Sequence, residues 1–454
     1  MNILDLIGNT PVIKLRGFET GLCEVFIKLE SQNPGGSIKD RIALSMIRRA
    51  EARGDIKPGT TLVEATAGNT GLGLALVASQ LGYKLILVIP DKMSREKVRH
   101  LQAMGAEIVS TRSDVQKGHP DYYHDRAQAL AASIPGSYYV NQFGNTDNPL
   151  AHQEGTGPEI WKQMEGNLDA IVCGVGSGGT ITGLNNFFAK VAPNLELVLA
   201  DPVGSILAHY IKTGEVLKES GSWVVEGIGE DFLPSILDLS RVKSAYSISD
   251  QESLDTAREL LKTNGIMAGS SSGTLLAAAL RYAREQKTPK RILTFACDSG
   301  NKYLSKQFNN VWMKEQGFLK SPKYGDIRDM VATTFDSSSL TYVKPDETLM
   351  IAFQRMKSED VSQLPVLDQG KVVGIIDGSD ILPSVYSDRH NFKKLVKEVM
   401  VTKLEVLEHT DSVSKVVELL QRGFVPIVML DKKFYGFITR TDLLNYLKTS
   451  LGHL

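Results

Sequence analysis

The sequence predicts an α/β fold, with parallel sheets covered by helices over most of the chain and a smaller α/β module after them. Two observations support this prediction. From residue 24 to about 320, short apolar runs such as Thr61–Ala65 and Ala170–Val175 alternate with longer helical patterns, which is typical of βα units. The 454 residues also exceed what one hydrophobic core usually organises, so we expect two or three compact units.

Composition and charge exclude several classes of protein. Hydrophobic residues make up 42% of the chain and charged residues 23%, and the formal net charge of -1 gives no field that would hold a nucleic acid. No apolar run approaches the roughly 20 residues of a membrane span, and the N-terminus lacks the basic region of a signal peptide. We therefore expect a cytoplasmic protein without nucleic-acid or membrane partners.

The cysteines are too few and too far apart to form a framework. Cys23, Cys173 and Cys297 match neither a set of disulfides nor the spacing of zinc ligands. We expect buried thiols and no metal site.

The first long helix is expected to begin beside a lysine. The turn Asn33-Pro-Gly-Gly-Ser-Ile leads into Lys39, and the helical pattern from Ile38 to Arg53 ends at Gly54. The helix dipole and nearby positive charge disfavour a cation at a helix start, so they lower the expected pKa of Lys39. A neutral amine is what a Schiff base requires. The alternative is an ordinary surface lysine.

A glycine-rich turn between an apolar run and a helical pattern is a candidate phosphate site. Its residues are Gly176, Ser177, Gly178, Gly179 and Thr180. Backbone amides at the helix start and two hydroxyl groups would hold a dianion. The spacing fits neither the dinucleotide fingerprint nor a P-loop, so a monophosphate is favoured. The alternative is a glycine turn chosen for packing alone.

Two further strand-to-helix turns carry polar side chains. In the first, the amides and hydroxyls of Thr66, Ala67, Gly68, Asn69 and Thr70 could hold a carboxylate, and Asn69 could bind a ring hydroxyl. In the second, Gly269-Ser-Ser-Ser-Gly273, Ser271 is the middle hydroxyl. Both turns could equally be simple helix caps.

In combination, these segments resemble the cysteine synthase and cystathionine β-synthase group of fold-type II pyridoxal-phosphate enzymes over residues 4 to about 319. Five motifs carry the resemblance: Ile7-Gly-Asn-Thr-Pro11, Pro34-Gly-Gly-Ser-Ile-Lys-Asp-Arg41, Tyr139-Val-Asn-Gln-Phe143, Gly155-Thr-Gly-Pro-Glu159 and Val225-Glu-Gly-Ile-Gly229. The resemblance implies a tryptophan synthase β-like catalytic unit of two α/β subdomains at residues 1–320, with pyridoxal 5'-phosphate as its cofactor.

The resemblance also implies roles for single residues. Lys39 would form the Schiff base, residues 176–180 would bind the cofactor phosphate, Asn69 the pyridine 3'-oxygen and Ser271 the pyridine nitrogen. Residues 66–70 and Gln142 would receive the substrate carboxylate. Ala67 departs from the family pattern, which commonly has a second hydroxyl residue there, and this puts the preferred leaving group in doubt.

The implied reaction is β-replacement on a serine-type amino acid. Lys39 would remove and return the Cα proton. A serine hydroxyl would not hold the ring nitrogen protonated, so the cofactor ring would withdraw electrons only moderately. The residues from Asp298 to Tyr303 and from Gly317 to Leu319 look more like cystathionine β-synthases than plain cysteine synthases. We therefore expect homocysteine as the thiol, serine or O-acetylserine as the donor, and a place in transsulfuration. Glu226 is a candidate for recognising the thiol substrate, or a solvent-exposed acid.

The alternatives are a cysteine synthase that uses sulfide and a non-catalytic ligand-sensing scaffold. Chains of this group that bind heme carry an extra N-terminal segment, whereas the match here begins almost at Met1, so no heme is expected. The resemblance also implies a homodimer or larger homo-oligomer.

After a polar linker at residues 321–328, the chain contains an internal repeat. Gly374–Asp380 recurs as Gly436–Asp442 at an offset of 62, and Leu364–Val366 recurs as Val425–Ile427 at an offset of 61. Residues 329–454 resemble a tandem CBS-repeat, or Bateman, module, with repeats at about 329–385 and 395–449.

Each repeat is expected to place an aspartate at a helix start. Asp380 and Asp442 could accept hydrogen bonds from a ribose diol, and Ser379 and Thr441 could contact sugar or phosphate. The expected ligand is an adenosyl compound, either S-adenosylmethionine or an adenine nucleotide. The alternatives are a simple N-cap for each aspartate and a ligand-free dimerising or lid-like module.

Overall fold

A computed structural model describes residues 1–66, 68–91, 93, 95–115, 118–217, 219–319, 323–335 and 340–450. The chain divides into two compact units, Met1–Phe308 and Asn309–Leu454. None of the helices in these ranges combines the length and the apolar character that a bilayer-spanning segment needs.

The strands of the first unit form two sheets. They are β1 (Val12–Lys14), β2 (Glu24–Lys28), β3 (Thr61–Ala65), β4 (Lys84–Pro90), β5 (Glu107–Thr111), β6 (Tyr138–Tyr139), β7 (Ala170–Cys173), β8 (Glu196–Pro202), β9 (Val242–Ile248) and β10 (Arg291–Phe295). One sheet has the order β1-β2-β10-β7-β8-β9 and the other β5-β4-β3-β6. All neighbours are parallel except β1, which pairs antiparallel with β2. The predicted α/β fold with parallel sheets is confirmed.

Helices connect these strands and cover the sheets. They are α1 (Lys39–Arg53), α2 (Asn69–Leu81), α3 (Arg95–Ala103), α4 (Tyr123–Ser133), α5 (Asp147–Ala151), α6 (Gly157–Gln163), α7 (Gly179–Val191), α8 (Leu207–Thr213), α9 (Asp250–Asn264) and α10 (Ser270–Arg284). A π-helical turn, His152–Thr156, joins α5 to α6. As predicted, α1 ends at Gly54, whose φ of +79° suits the left-handed residue after a helix.

The chain passes from one hydrophobic core to the other at the start of α1. Ile38 packs in the core around the six-stranded sheet, whereas Ile42 packs in the core around the four-stranded sheet. Both side chains are almost fully buried. Lys39 therefore lies at the boundary between the two halves of the first unit.

A buried ion network holds α1 in place. The Arg41 guanidinium donates to the Glu30 carboxylate at 2.7 and 2.8 Å and to the Glu159 carboxylate at 2.8 Å through each terminal nitrogen. The Lys28 ammonium lies 3.1 Å from Glu159. Burial raises the pKa of Glu159, but Arg41 and Lys28 outweigh burial and lower the value to about 2. This carboxylate therefore stabilises the fold above the ordinary pKa of glutamate, and the contribution is lost as the pH falls towards 2.

The second unit contains two similar βα segments. Its helices are α11 (Asn310–Glu315), α12 (Leu349–Ser358), α13 (Gly378–Ser387), α14 (Val413–Gln421) and α15 (Arg440–Ser450). Its strands are β11 (Gln363–Asp368), β12 (Lys371–Asp377), β13 (Val406–Glu408), β14 (Ile427–Leu430) and β15 (Lys433–Phe437). The pairs β11–β12 and β14–β15 are antiparallel hairpins, and each leads into a helix.

The two hairpins have the same pairing register. This register corrects one of the two offsets between the repeats that the sequence predicts. Pro365 pairs with Ile375, and Ile427 pairs with Phe437, so both strands are related by an offset of 62. The offset of 61 inferred from the two prolines is wrong by one residue, because a one-residue shift would move every side chain to the opposite face of the strand. The ladder irregularities after Val366 and Val428 also differ by 62.

Removing the cation of the buried network should destabilise the first unit strongly. In an Arg41→Ala variant, Glu30 loses its cationic partner while Glu159 keeps only Lys28, and Glu30 is fully buried. We expect the free energy of unfolding to fall by about 3–5 kcal/mol, the usual cost of leaving a buried charge uncompensated. Urea unfolding followed by tryptophan fluorescence measures it.

The matched control is Arg48→Ala on the same helix. Arg48 is half exposed and pairs with Glu51 one turn away. Its loss should cost at most about 1 kcal/mol, as for exposed ion pairs. Equal effects of the two substitutions would show that the buried network does not stabilise the fold.

Candidate active site

The segments singled out in the sequence lie beyond the carboxyl ends of the parallel strands. The turn before Lys39 follows β2, Thr66–Thr70 follow β3, Gln142 follows β6 and Gly176–Thr180 follow β7. In parallel sheets, ligands bind in the crevice formed by these loops. The topology thus places the candidate residues where an α/β protein usually has its site.

Backbone hydrogen bonds bring the lysine turn next to two further segments. Ile38 donates its N–H to the carbonyl of Cys297 at 2.8 Å, beyond the end of β10. On the other side of that segment, Gly269 donates to the carbonyl of Asp298 at 3.2 Å. The residues after β10 therefore lie between Lys39 and the start of α10, which carries the serine triplet.

Lys39 is the first residue of α1, and within the described part of the chain its amine makes no hydrogen bond. Burial lowers the pKa of Lys39, whereas Cys297, Glu230 and Asp298 act in the opposite direction. The expected direction of the shift is therefore correct, but the expected cause is not, because loss of water rather than nearby positive charge disfavours the ammonium. A neutral amine can act as a nucleophile and as a base.

Close packing explains several glycines of the Gly176–Thr180 turn. A Cβ at position 176 would lie 2.7 Å from the carbonyl oxygen of Gly227, and a Cβ at position 179 would lie 1.8 Å from the amide oxygen of Asn148. Gly178 has a φ of +89°, which side chains rarely adopt. The packing alternative thus accounts for these glycines, but not for the hydroxyl groups between and after them.

The two hydroxyl groups of the turn are held by residues near α5. Asn148 donates from Nδ2 to Ser177 Oγ at 3.0 Å, and Thr180 Oγ1 lies 3.2 Å from His152 Nε2. Burial lowers the pKa of His152 well below its usual value, so the ring is neutral. In the described chain, no side chain caps the start of α7. Its first amides can therefore serve an anion.

Thr70 orients the amide of Gln142. Thr70 Oγ1 donates to Gln142 Oε1 at 2.7 Å, and both side chains are buried. Since the amide oxygen is occupied and no hydrogen bond from Nε2 is present among the described residues, the N–H groups of Gln142 are left for a carboxylate. Glu64 lies beneath, accepting the backbone N–H of Gln142 at 3.2 Å, and burial raises its pKa to about 8. Ala67, where the family pattern is broken, lies outside the described residues.

Asn69 is held from both ends by residues after β10. Its amide oxygen accepts from Lys302 Nζ at 2.7 Å, and its Nδ2 donates to Asp298 at 2.8 Å. Lys302 also donates to the carbonyl of Gly35 at 3.2 Å, and Tyr303 donates to Asp298 at 2.7 Å. One N–H of the Asn69 amide remains for a ligand, and its direction is fixed by this network.

Ser271 is buried on the first turn of α10. Its hydroxyl lies close enough to the Cys297 thiol to influence the pKa of that thiol, which burial raises to about 12. Cys297 is thus a neutral thiol, and the three cysteines are all unpaired. Within the described residues, no group of three or more His, Cys, Asp or Glu side chains could hold a metal ion.

Glu226 is not the solvent-exposed acid that we considered. Its side chain is 25% exposed and forms ion pairs with Lys97 and with Lys306. These two lysines lower the pKa of Glu226 against the effect of burial, which is the largest single contribution and raises it. Its charge is therefore engaged within the protein.

In the second unit, the two aspartates contribute to helix starts. Asp377 and Asp380 form a capping box at α13, in which Asp380 accepts the backbone N–H of Asp377 at 2.9 Å. Asp442 likewise accepts from the N–H and the hydroxyl of Thr439 at 2.7 Å. The N-cap alternative is thus correct in part: Asp380 and Asp442 complete a cap from the third helical position. Ser379 and Thr441 are exposed.

The sequence patterns missed the residues that support the candidate site from a distance. They are Asn148, His152 and Lys302. No sequence pattern marks Asn148 or His152 as functional, apart from their position between two of the family motifs. Lys302 lies in the Asp298–Tyr303 run, whose sequence indicates only a substrate preference.

Comparison with known proteins identifies what the chain as a whole is similar to. A family model described as "Pyridoxal-phosphate dependent enzyme" matches residues 3–298, and the CBS domain model matches residues 329–386 and 396–449. Cystathionine beta-synthase of Apis mellifera is 35% identical over 98% of this chain and 90% of its own length, and that of Dictyostelium discoideum 37% over 99% and 92%. The crystal structure of the O-acetylserine dependent cystathionine beta-synthase from Helicobacter pylori matches with a TM-score of 0.62 and 38% identity, covering 67% of this chain and 97% of that one.

Removing the Lys302 ammonium should weaken the binding of pyridoxal phosphate. In Lys302→Met, Asn69 and the turn before Lys39 lose a charged donor, and such hydrogen bonds contribute about 1.5–3 kcal/mol. We expect the dissociation constant of pyridoxal phosphate to rise about tenfold or more. Absorbance titration of the apoprotein with the cofactor measures it.

Lys302→Arg, which keeps the cation, should recover most of the affinity. Lys262→Met, which removes a lysine that is 79% exposed, should leave it unchanged. An unaltered dissociation constant in Lys302→Met would show that Lys302 does not position Asn69.

Proposed function

The chain belongs to the family of pyridoxal-phosphate-dependent enzymes, and on this premise we propose that it is a cystathionine β-synthase. The proposed reaction replaces the β-substituent of serine or O-acetylserine by the thiol sulfur of homocysteine. The observation that carries the proposal is the likeness to cystathionine β-synthases over almost the whole chain, through the catalytic unit and both CBS repeats.

The residues present fit pyridoxal phosphate. Lys39 offers a partly accessible amine that no described residue binds, and the start of α7 offers amides that no described side chain caps. These two features match an aldehyde and a phosphate respectively. We propose that Lys39 holds the cofactor covalently and that Gly176, Ser177, Gly178, Gly179 and Thr180 hold its phosphate.

Two side chains are proposed for the ring of the cofactor. The Asn69 amide, fixed by Lys302 and Asp298, has one N–H left to donate to the 3'-oxygen. Ser271 would meet the ring nitrogen, and a hydroxyl there does not hold the nitrogen protonated as a carboxylate would. When bound, pyridoxal phosphate withdraws electrons from the substrate Cα, which makes loss of the Cα proton feasible.

The remaining roles belong to the substrate. Gln142 and the segment Thr66–Thr70 would bind its carboxylate, because the Gln142 amide presents its N–H groups. The neutral Lys39 amine would take the Cα proton and later return it. For Glu226 we propose an indirect role, which is to hold Lys97 and Lys306 in place at this side of the site.

We further propose that the CBS pair binds an adenosyl ligand and that the protein acts in the cytoplasm as a homodimer or larger oligomer. The exposed hydroxyls of Ser379 and Thr441 next to Asp380 and Asp442 support a sugar or phosphate contact. Three unpaired cysteines are compatible with a reducing compartment. No heme is part of the proposal.

Product analysis tests the proposed reaction. With pyridoxal phosphate and homocysteine, we expect cystathionine from serine, from O-acetylserine or from both, at a kcat/KM well above that of cysteine formation from sulfide. Lys39→Ala, with unaltered circular dichroism, should lose turnover and the visible absorbance of the bound cofactor. Cysteine as the main product would indicate a cysteine synthase, and the absence of both products a ligand-sensing scaffold.

A thermal shift tests the second unit. A ligand that binds only the folded protein stabilises it by about 2.7 kcal/mol at one hundred times its dissociation constant. We expect S-adenosylmethionine or ATP to raise the melting temperature, and Asp442→Asn to reduce that rise. Asp431→Asn, in the β14–β15 hairpin turn, is the control that should respond like the wild type. No shift with either compound would indicate a ligand-free module.

A further inference from the structure

A carboxyl group beside the candidate site has no role so far. Glu230 follows the motif Val225–Gly229, and this loop lies against both the Gly176–Thr180 turn and the start of α10. Gly229 donates its N–H to the carbonyl of Val175 at 2.8 Å. Glu226 donates its N–H to Ser270 Oγ at 3.1 Å. The loop is therefore part of the wall of the site.

The backbone of Glu230 is fixed by the loop before α8. Its N–H donates to Ser205 Oγ at 3.1 Å, and its carbonyl accepts from Ser205 Oγ at 3.2 Å and from the N–H of Ile206 at 3.1 Å. The side chain is partly accessible, and its carboxyl makes no hydrogen bond to any described residue. A fixed residue with an unpartnered carboxyl is poised to meet a ligand.

The segments that carry Lys39 and Glu230 both reach the start of α10 through hydrogen bonds. Each of these two residues lies close enough to the other to influence its ionisation. The other charged or titratable groups facing Glu230 are its neighbour Asp231, Asp201 at the end of β8, and the phenols of Tyr122 and Tyr123 at the start of α4. Groups from both halves of the first unit thus surround this carboxyl.

These surroundings keep Glu230 neutral. Burial, which is the largest effect, and the charge of Asp231 raise the pKa of Glu230 to about 9 against the opposing charge of Lys39, and Asp201 adds a smaller rise. Below that pH the group carries its proton. A neutral carboxyl cannot neutralise an ammonium, but it can donate a proton.

We propose that Glu230 is a catalytic residue that protonates the β-oxygen of serine as the bond between Cβ and this oxygen breaks. The inference rests on the proposed function and adds the preferred donor to it. The electron pair of the bond leaves with the oxygen, the proton of Glu230 joins it, and water departs. The carboxylate then takes the proton of the incoming thiol, so that serine and thiol give thioether and water.

The proposal separates the two donor substrates. Hydroxide is a poor leaving group and needs a proton in the transition state, whereas acetate leaves from O-acetylserine as a stable anion without one. General acid catalysis typically contributes about 10²–10⁴-fold. A proton donor at position 230 therefore favours serine and is of no use for O-acetylserine.

The test compares the two donors in Glu230→Gln, which keeps the shape of the side chain but has no proton to give. The elimination half-reaction is followed without thiol, by the change in visible absorbance of the holoenzyme. We expect the rate with serine to fall about 100-fold, in line with the loss of a general acid, and the rate with O-acetylserine to stay within about threefold. Equal loss with both donors, or no loss with serine, would overturn the proposal.

Glu215→Gln is the control, since this exposed carboxyl lies between α8 and β9 and is not among the groups that shift the pKa of Glu230. It should leave both rates within about threefold, because it removes only an exposed charge that solvent screens. The half-reaction needs no thiol, so its rates do not depend on which thiol the enzyme accepts. If homocysteine failed as acceptor, the proposed function would be contradicted, but the comparison of the two donors would still test the role of Glu230.

The wild-type pH profile is an independent test that needs no variant. The ratio of kcat/KM for serine to that for O-acetylserine should be constant at neutral pH and fall about tenfold per pH unit above the pKa of Glu230 at about 9. The ratio cancels the titration of groups common to both donors, such as Lys39. A ratio that stays flat to pH 10 would contradict the proposal even if Glu230→Gln failed to fold.

Discussion

The partial removal of one amine from water is the constraint on which the rest of the first unit depends. Lys39 begins α1 with a side chain that is only partly accessible to water, and burial disfavours its charged form. The ion network of Glu30, Arg41 and Glu159 lies two residues further along the same helix and ties α1 to the turn after β2 and to α6. The position of the amine at residue 39 thus depends on charge pairing two residues away.

Much of the fold could be predicted from the sequence, because the signals are local. The apolar runs at Thr61–Ala65 and Ala170–Cys173 are strands, and Gly54 ends α1 as its position indicated. The pairing of the Leu364 and Val425 segments was wrong by one residue, because two prolines are a weaker guide to register than the hydrogen-bond ladder. Local patterns therefore predicted the positions of strands and helices better than the register between the two repeats.

The environment of the site was less accessible to sequence reasoning, since it depends on contacts between distant segments. Lys302 and Asn69 are 233 residues apart, and no local pattern indicates that they touch. The cause of the lowered pKa of Lys39 was also misjudged, because burial cannot be read from a turn motif. The residue types in the turns indicated the candidate site residues, whereas the distant residues that orient them could not be found from the sequence.

The residues proposed to bind cofactor and substrate are divided between the two hydrophobic cores. The Gly176–Thr180 turn leads from β7 in the large sheet, whereas Gln142 and Thr66–Thr70 follow strands of the small sheet, and Lys39 stands where the chain crosses between the cores. With the proposed roles, the cofactor phosphate and the substrate carboxylate would be bound by different halves of the unit. A bound amino acid would then link the two halves, and this link would favour a closed crevice from which water is excluded.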